Sequence, residues 1–261
     1  MATVQTEPGF SMQMDGINPF YYEVSPLSFT LTDIHAWSNN GHMLDMQGTF
    51  TYNLDGSFAD GVVSGVVDYY QGIPAVVIGG LDVDARILLA HLANDPTLVT
   101  FWQSVLGGGD IIEGGNGGPN RLFGFGAGGD YIVGGSSYDV LQGFGGNNTI
   151  LGTGAADRIN GGPGVNVLVG GARQTAFDFF ALDYPFSDVI TNFKPGTRAV
   201  HDVLWFHSEP GLHNFAQVLH HAVVDRHHHD VVIHDNIGDH IILANIHNLA
   251  QLHPYDFLFV A

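Results

Sequence analysis

Across residues 125–168 an aliphatic residue returns every nine positions, each time two places after an Asp or Asn. From Phe125 the chain reads FGAGGDYIV, GGSSYDVLQ, GFGGNNTIL, GTGAADRIN, GGPGVNVLV and GGARQTAFD. Counted in nines, Asp130, Asp139, Asn148, Asp157 and Asn166 share one phase, and Ile132, Leu141, Ile150, Ile159 and Leu168 share another. Asp110/Ile112 and Asn120/Leu122 extend the pattern upstream at ten-residue spacings, and Thr175/Phe177 ends it. A six-residue Gly-rich turn followed by a three-residue strand accounts for each unit, with the central aliphatic side chain pointing inward. Two units then make one coil of a parallel roll, so positions 18 apart stack at about 4.8 Å.

On either side the pattern changes. SFTLTDI, GTFTYNL, FADGVVSGVVDYY and IPAVVIGG read as strands, with a turn at Asp55-Gly56. Asp84 and Asp95-Pro96 are candidate caps for helices over ARILLAHLA and TLVTFWQSVL. Downstream, HNFAQVLHHAVV predicts a short helix, with Phe215, Val218, Leu219 and Ala222 on one face. DVVIHD and HIILAN predict a hairpin turning at Ile237-Gly238, and DFLFVA ends the chain as an apolar segment. The expected fold is mainly β, a parallel β-roll preceded by a small α+β domain. The expected division is residues 1–105, the roll at 106–178, and a capping region at 179–261.

Composition sharpens this reading. The 36 Gly residues concentrate where the repeat lies. Asp and Glu number 26 against 7 Lys and Arg, giving a formal charge of −19. Such a chain repels phosphate backbones and anionic headgroups, so nucleic acid and membrane surfaces are poor partners. Dense carboxylates suit a hard divalent cation, and they also serve solubility; composition alone leaves both open. The absence of cysteine excludes disulfides and zinc–thiolate sites. Residues 1–22 show no basic segment followed by an apolar run, so no cleavable signal peptide is read there, and no apolar run has transmembrane length.

The repeat resembles G-G-x-G-x-D-x-U-x, the calcium-binding nonapeptide of RTX proteins. Residues 187–206, SDVITNFKPGTRAVHDVLWF, resemble the segment that closes the roll in serralysin-type carboxyl domains, with Asp188 and Asp202 at acidic positions and Asn192 replacing an expected Asp. The resemblance implies Ca²⁺ ligands at Asp110, Asp130, Asp139, Asn148, Asp157, Asn166, Asp188 and Asp202. Stacked carboxylates repel and an inserted cation reverses the sign, best at Asp139 with Asp157, then at Asp130 with Asn148 and Asp110 with Asp130. Asn keeps an oxygen ligand but removes charge, which weakens those sites. The metal-free alternative is a roll held by its aliphatic column alone. The ending DFLFVA resembles the uncleaved carboxyl-terminal signal of type I secretion substrates, and a buried final strand is an equally valid reading of it. Export to the cell surface or medium, with the type I secretion machinery as partner, follows from the resemblance.

Twelve of the 15 His residues fall between His201 and His253. One chemistry is Zn²⁺ or Cu²⁺ capture, with His234 facing His240 across the hairpin and His227 and His229 to one side. Another is a pH response, since protonating all 15 moves the formal charge from −19 to −4 (−19 + 15). A third is drift at exposed positions. His213 and His220, on a continuous helix, stand about 10 Å apart, too far to share an ion. No catalytic constellation is visible: Ser64 in GVVSG is out of phase for a nucleophile elbow. The leading expectation is a non-enzymatic, exported calcium-binding protein that folds on Ca²⁺ and serves as a surface or matrix element, with open roll ends favouring homo-oligomers or filaments. The alternatives are a transition-metal or heme scavenger (Tyr21, Tyr22, His35, His42 and His91 being heme-ligand types) and a secreted hydrolase.

Overall fold

The computed structural model describes residues 3–6, 28–29, 33–37, 42–54, 57–70, 73–94, 103–196 and 201–260. Asp55-Gly56, Asp95-Pro96, Tyr21, Tyr22 and most of the second expected amino-terminal helix lie outside them.

The fold is mainly β, and its centre is the roll. Three-residue strands alternate between two parallel sheets. β7 (Ile111–Glu113), β9 (Tyr131–Val133), β11 (Thr149–Leu151) and β13 (Val167–Val169) build one. β8 (Arg121–Phe123), β10 (Val140–Gln142), β12 (Arg158–Asn160) and β14 (Ala176–Phe180) build the other. Val140 stands beside Arg158 and Thr149 beside Val167, the coil repeat expected from two nonapeptides. The upstream irregular units lengthen the coil without losing register, with Ile111 beside Tyr131 and Arg121 beside Val140.

In each strand the central side chain faces inward, because successive residues point to opposite faces. Ile112, Leu122, Ile132, Leu141, Ile150, Ile159, Leu168 and Phe177 are all 0% exposed. The stacking does not stop at Phe177. β15 (Ser187–Ile190) joins β13, and β16 (Val203–His207) joins β14 with Leu204 beside Phe177. β19 (His240–Leu243) pairs with β15, and β20 (Phe257–Val260) pairs with β16. The apolar ending is therefore a strand of the roll, with Phe257 buried against Phe206.

The cap is a hairpin, β18 (Asp230–His234) with β19, flanked by β17 (Ala222–Asp225). The helix before it is shorter than the periodicity predicts. α1 is Ala85–Asn94 near the amino terminus, and α2 is Phe215–His221, capped by Asn214 Oδ1, which accepts from the Gln217 N–H. His213 thus stands outside the helix. From Ala222 the chain is extended, because the β-branched Val223 and Val224 pair with Val232 and Val231.

The amino-terminal region is an antiparallel meander of β2 (Ser28–Phe29), β3 (Asp33–Trp37), β4 (His42–Tyr52), β5 (Phe58–Tyr70) and β6 (Ile73–Asp84). Asp84 caps α1, its Oδ1 accepting the Arg86 N–H at 2.8 Å. β1 (Thr3–Thr6) lies antiparallel to β6 and parallel to β7, so it splices the meander onto the roll. Among the described residues this makes one sheet in the order β17-β18-β19-β15-β13-β11-β9-β7-β1-β6-β5-β4-β3-β2. The expectation of open roll ends fails for this sheet, which is extended by other strands at both ends. The second sheet, β20-β16-β14-β12-β10-β8, ends on β8 and β20 among the described residues. One apolar cluster runs from Ile34 and Leu44 in the meander through the roll to Ile241 and Phe257.

Candidate metal centre

Each Gly-rich turn of the repeat delivers a polar residue to the start of the next strand, and the coil repeat stacks these residues, with Asp188 and Asp202 after them, in two columns. Asp110, Asp130, Asn148, Asn166 and Asp188 form the first; Asn120, Asp139, Asp157, Thr175 and Asp202 form the second. None is more than 3% exposed. A ladder links successive coils, each side-chain oxygen accepting a backbone N–H from the coil before it. The N–H of Asp110 donates to Asp130 Oδ1, that of Asp130 to Asn148 Oδ1, and that of Asn148 to Asn166 Oδ1, all at 2.9 Å. In the second column the N–H groups of Asn120, Asp139 and Thr175 donate to Asp139, Asp157 and Asp202 at 2.7, 3.0 and 2.8 Å.

The ladder occupies one oxygen of Asp130, Asp139, Asp157 and Asp202, and the other oxygens divide the rungs into two kinds. In the first kind the second oxygen has no hydrogen-bond partner. Asp130 Oδ2 and Asp157 Oδ2 are buried in this condition. Both point into glycine turns. A Cβ on Gly124 would meet Asp130 Oδ2 at 2.1 Å, and Cβ atoms on Gly152 and Gly171 would meet Asp157 Oδ2 at 2.5 and 2.4 Å. Burial pushes Asp130 up to about 7, reinforced by Asp110 and opposed by the backbone hydrogen bond. Burial likewise pushes Asp157 up to about 7, with Asp139 adding to it. Asp188 is pushed up to about 8 by burial, although Asn166 Nδ2 donates to its Oδ1 at 2.7 Å. A buried carboxylate oxygen lacking a donor is costly unless a proton or a cation meets it. Asp130 and Asp157 therefore fit a hard, oxygen-seeking cation.

In the second kind the protein supplies its own donors. Asn148 Nδ2 donates to the carbonyls of Gly145 and Gly161 and to Asn166 Oδ1. Asn166 Nδ2 donates to the Gly162 carbonyl and to Asp188. Asn120 is mixed: its Nδ2 donates to the Gly115 carbonyl and to Asp139 Oδ1, while its own buried Oδ1 has no donor. Asp139 Oδ2 accepts the Gly135 N–H, so neither oxygen of Asp139 is free of donors. Asp202 is filled by the N–H groups of Thr175 and Lys194. The Lys194 ammonium donates to the Gly171 carbonyl, an organic cation at the turn beside Asp157. An Asn here does more than lose a charge: its NH₂ binds the carbonyls and carboxylates that a metal would draw together.

The structure thus brings the expected ligands into two columns but ranks them differently. Asp139 with Asp157 is the expected best pair, yet only the Asp157 side keeps a donor-free oxygen. Asn192, in place of the expected Asp, makes a reciprocal pair with the Gly170 backbone at 2.7 and 2.9 Å.

The histidines are arranged less favourably. His234 and His240 do face each other, with ring centroids 4.6 Å apart. Partial burial, His240 and His221 together lower the His234 pKa. Among the described residues no third His, Asp or Glu ligand atom completes a metal-holding group with this pair. His229 instead packs edge-on to His247, and its carbonyl bonds His247 Nδ1. His35 pairs with Asp45 at 3.1 Å. Ser64 lies within β5, its hydroxyl donating to the Gln47 carbonyl, not on a strand-to-helix elbow.

Residues 126–154 and 142–172 match the family model of the RTX calcium-binding nonapeptide repeat, in four copies. No curated protein matches the chain. The matched stretch holds Asp130, Asp139, Asn148, Asp157 and Asn166, while Asp110, Asp188 and Asp202 lie outside it. Residues 126–172 of the roll are RTX-type repeats, and calcium is the cation such repeats bind.

Proposed function

We propose that this chain is an exported, non-enzymatic calcium-binding protein whose roll tightens around Ca²⁺ once outside the cell, serving there as a surface or matrix element. The observation that carries the reading is the pair of buried, donor-free oxygens on Asp130 and Asp157 within glycine turns of a matched repeat. When bound, calcium supplies the positive charge these rungs lack. The chain supplies the Asp130 and Asp157 carboxylates and the turns around them, with Asp188 at the closing end.

Because the cation-competent state needs folded coils, binding energy becomes folding energy, and a calcium-poor interior leaves the chain pliable for export. The apolar ending supports a carboxyl-terminal export signal for the type I machinery, and the β8 and β20 edges support self-association.

Calorimetric titration of chelator-stripped protein tests the reading. The Asp130→Asn/Asp157→Asn variant keeps the oxygen of each rung and installs the NH₂ found at Asn148. It should bind fewer ions while folding readily without calcium. Unchanged calcium binding in that variant would remove the roll sites.

A further inference from the structure

We infer that the cap holds a second kind of calcium site, built by Glu209, Asp235 and Asp239 outside the nonapeptide register. Glu209 follows β16, whereas Asp235 and Asp239 flank the β18–β19 turn. One carboxylate oxygen from each lies within 4.8 Å of the others, the size of a single-ion cage. All three are buried, Glu209 being only 1% exposed.

Three crowded carboxylates do not alone define a site; their hydrogen bonding does. Both oxygens of Glu209 are buried without a donor. Asp235 Oδ1 accepts the N–H groups of Ile237, Gly238 and Asp239 at 2.9, 2.7 and 2.8 Å, which fixes the loop and leaves buried Oδ2 donor-free. Asp239 Oδ1 accepts the Phe186 N–H at 2.9 Å, anchoring the third ligand to the roll. The Asn236 N–H donates to the Pro210 carbonyl, holding the loop against the Glu209 turn. The backbone therefore orients the carboxylates while leaving three oxygens with no donor. No Lys or Arg forms an ion pair with any of them among the described residues. Burial, Asp235, Asp239 and Asp183 together push Glu209 up to about 8, the electrostatic cost of the cluster without a cation.

An all-oxygen, all-carboxylate donor set selects a hard divalent cation over Zn²⁺ or Cu²⁺. Bound there, calcium ties the end of β16 to the β18–β19 hairpin and so links cap closure to the ion that organises the roll.

The test is calcium titration of the full chelator-stripped chain, comparing Glu209→Gln with the Asp130→Asn/Asp157→Asn variant. Glu209→Gln should lose one ion per chain, or show that ion bound at least about tenfold more weakly. It should also melt higher than wild type without calcium, because a charge repulsion is gone. Asp235→Asn, which keeps the loop-capping oxygen, should do the same and guards against a folding defect in the first variant. The roll variant should retain the cap ion, so the two sets of sites fail separately. Wild-type stoichiometry and affinity in both Glu209→Gln and Asp235→Asn would overturn the inference.

Discussion

At the residue scale the difference between Asp and Asn decides which of these rungs carry a donor-free oxygen and which carry an NH₂. Asp130 and Asp157 carry an oxygen that the fold leaves without a donor, while Asn148 and Asn166 turn an NH₂ toward the same kind of turn. On the proposed reading, protons and calcium compete for the two aspartates. Their ordinary carboxyl value of 3.8 rises to about 7 in the folded, calcium-free chain. A raised acid contributes stability below its unfolded value and loses it as pH rises through the folded one. Without calcium, the melting temperature should fall between about pH 4 and pH 7, each aspartate costing on the order of 1.4 kcal/mol per pH unit until its folded value is passed. With calcium the sense reverses, and affinity should weaken as pH drops below about 7. Melting curves across pH, with chelator and with calcium, check both arms. A calcium-free melting temperature independent of pH would contradict them.

At the element scale, the nonapeptide was legible because its signal is local and periodic. One inward aliphatic and one turn-ending Asp or Asn per unit fix strand, turn and coil, and the paired positions stand where the spacing puts them. Two things were not legible. The amide of Asn148 looks like a weak ligand in sequence, since only the folded turn shows which end faces the carbonyls. Glu209, Asp235 and Asp239 carry no period, coming together only when the hairpin packs beside β16. The helix before the hairpin ends earlier than its periodicity predicts for a related reason: strand pairing with Val232 and Val231 claims Val223 and Val224. The terminal strand β20 has two expected roles. Phe257 packs on Phe206, so truncation after Pro254 should lower stability as well as export. Fusing residues 179–261 to an unrelated passenger separates the two. Secretion of that fusion supports the signal, and its retention would limit β20 to a structural part.

At the scale of the whole molecule, the fold turns a thin core into a long one. A single aliphatic per nonapeptide buries little, but β1 splices the roll to the meander and the cap continues it, so one apolar cluster spans the chain. With a formal charge of −19, the calcium-free molecule works against its own repulsion. On the proposed reading, ions bound in the roll relieve it locally and hold successive coils together. Whether calcium consolidates this fold is read by thermal melting, followed by far-ultraviolet circular dichroism, while Ca²⁺ is titrated into the chelator-stripped chain. Both the β signal and the melting temperature should rise saturably with calcium, and magnesium should not reproduce the rise. A signal and melting temperature unchanged up to millimolar calcium would contradict it and leave the roll as a metal-free scaffold held by its aliphatic column and its asparagines.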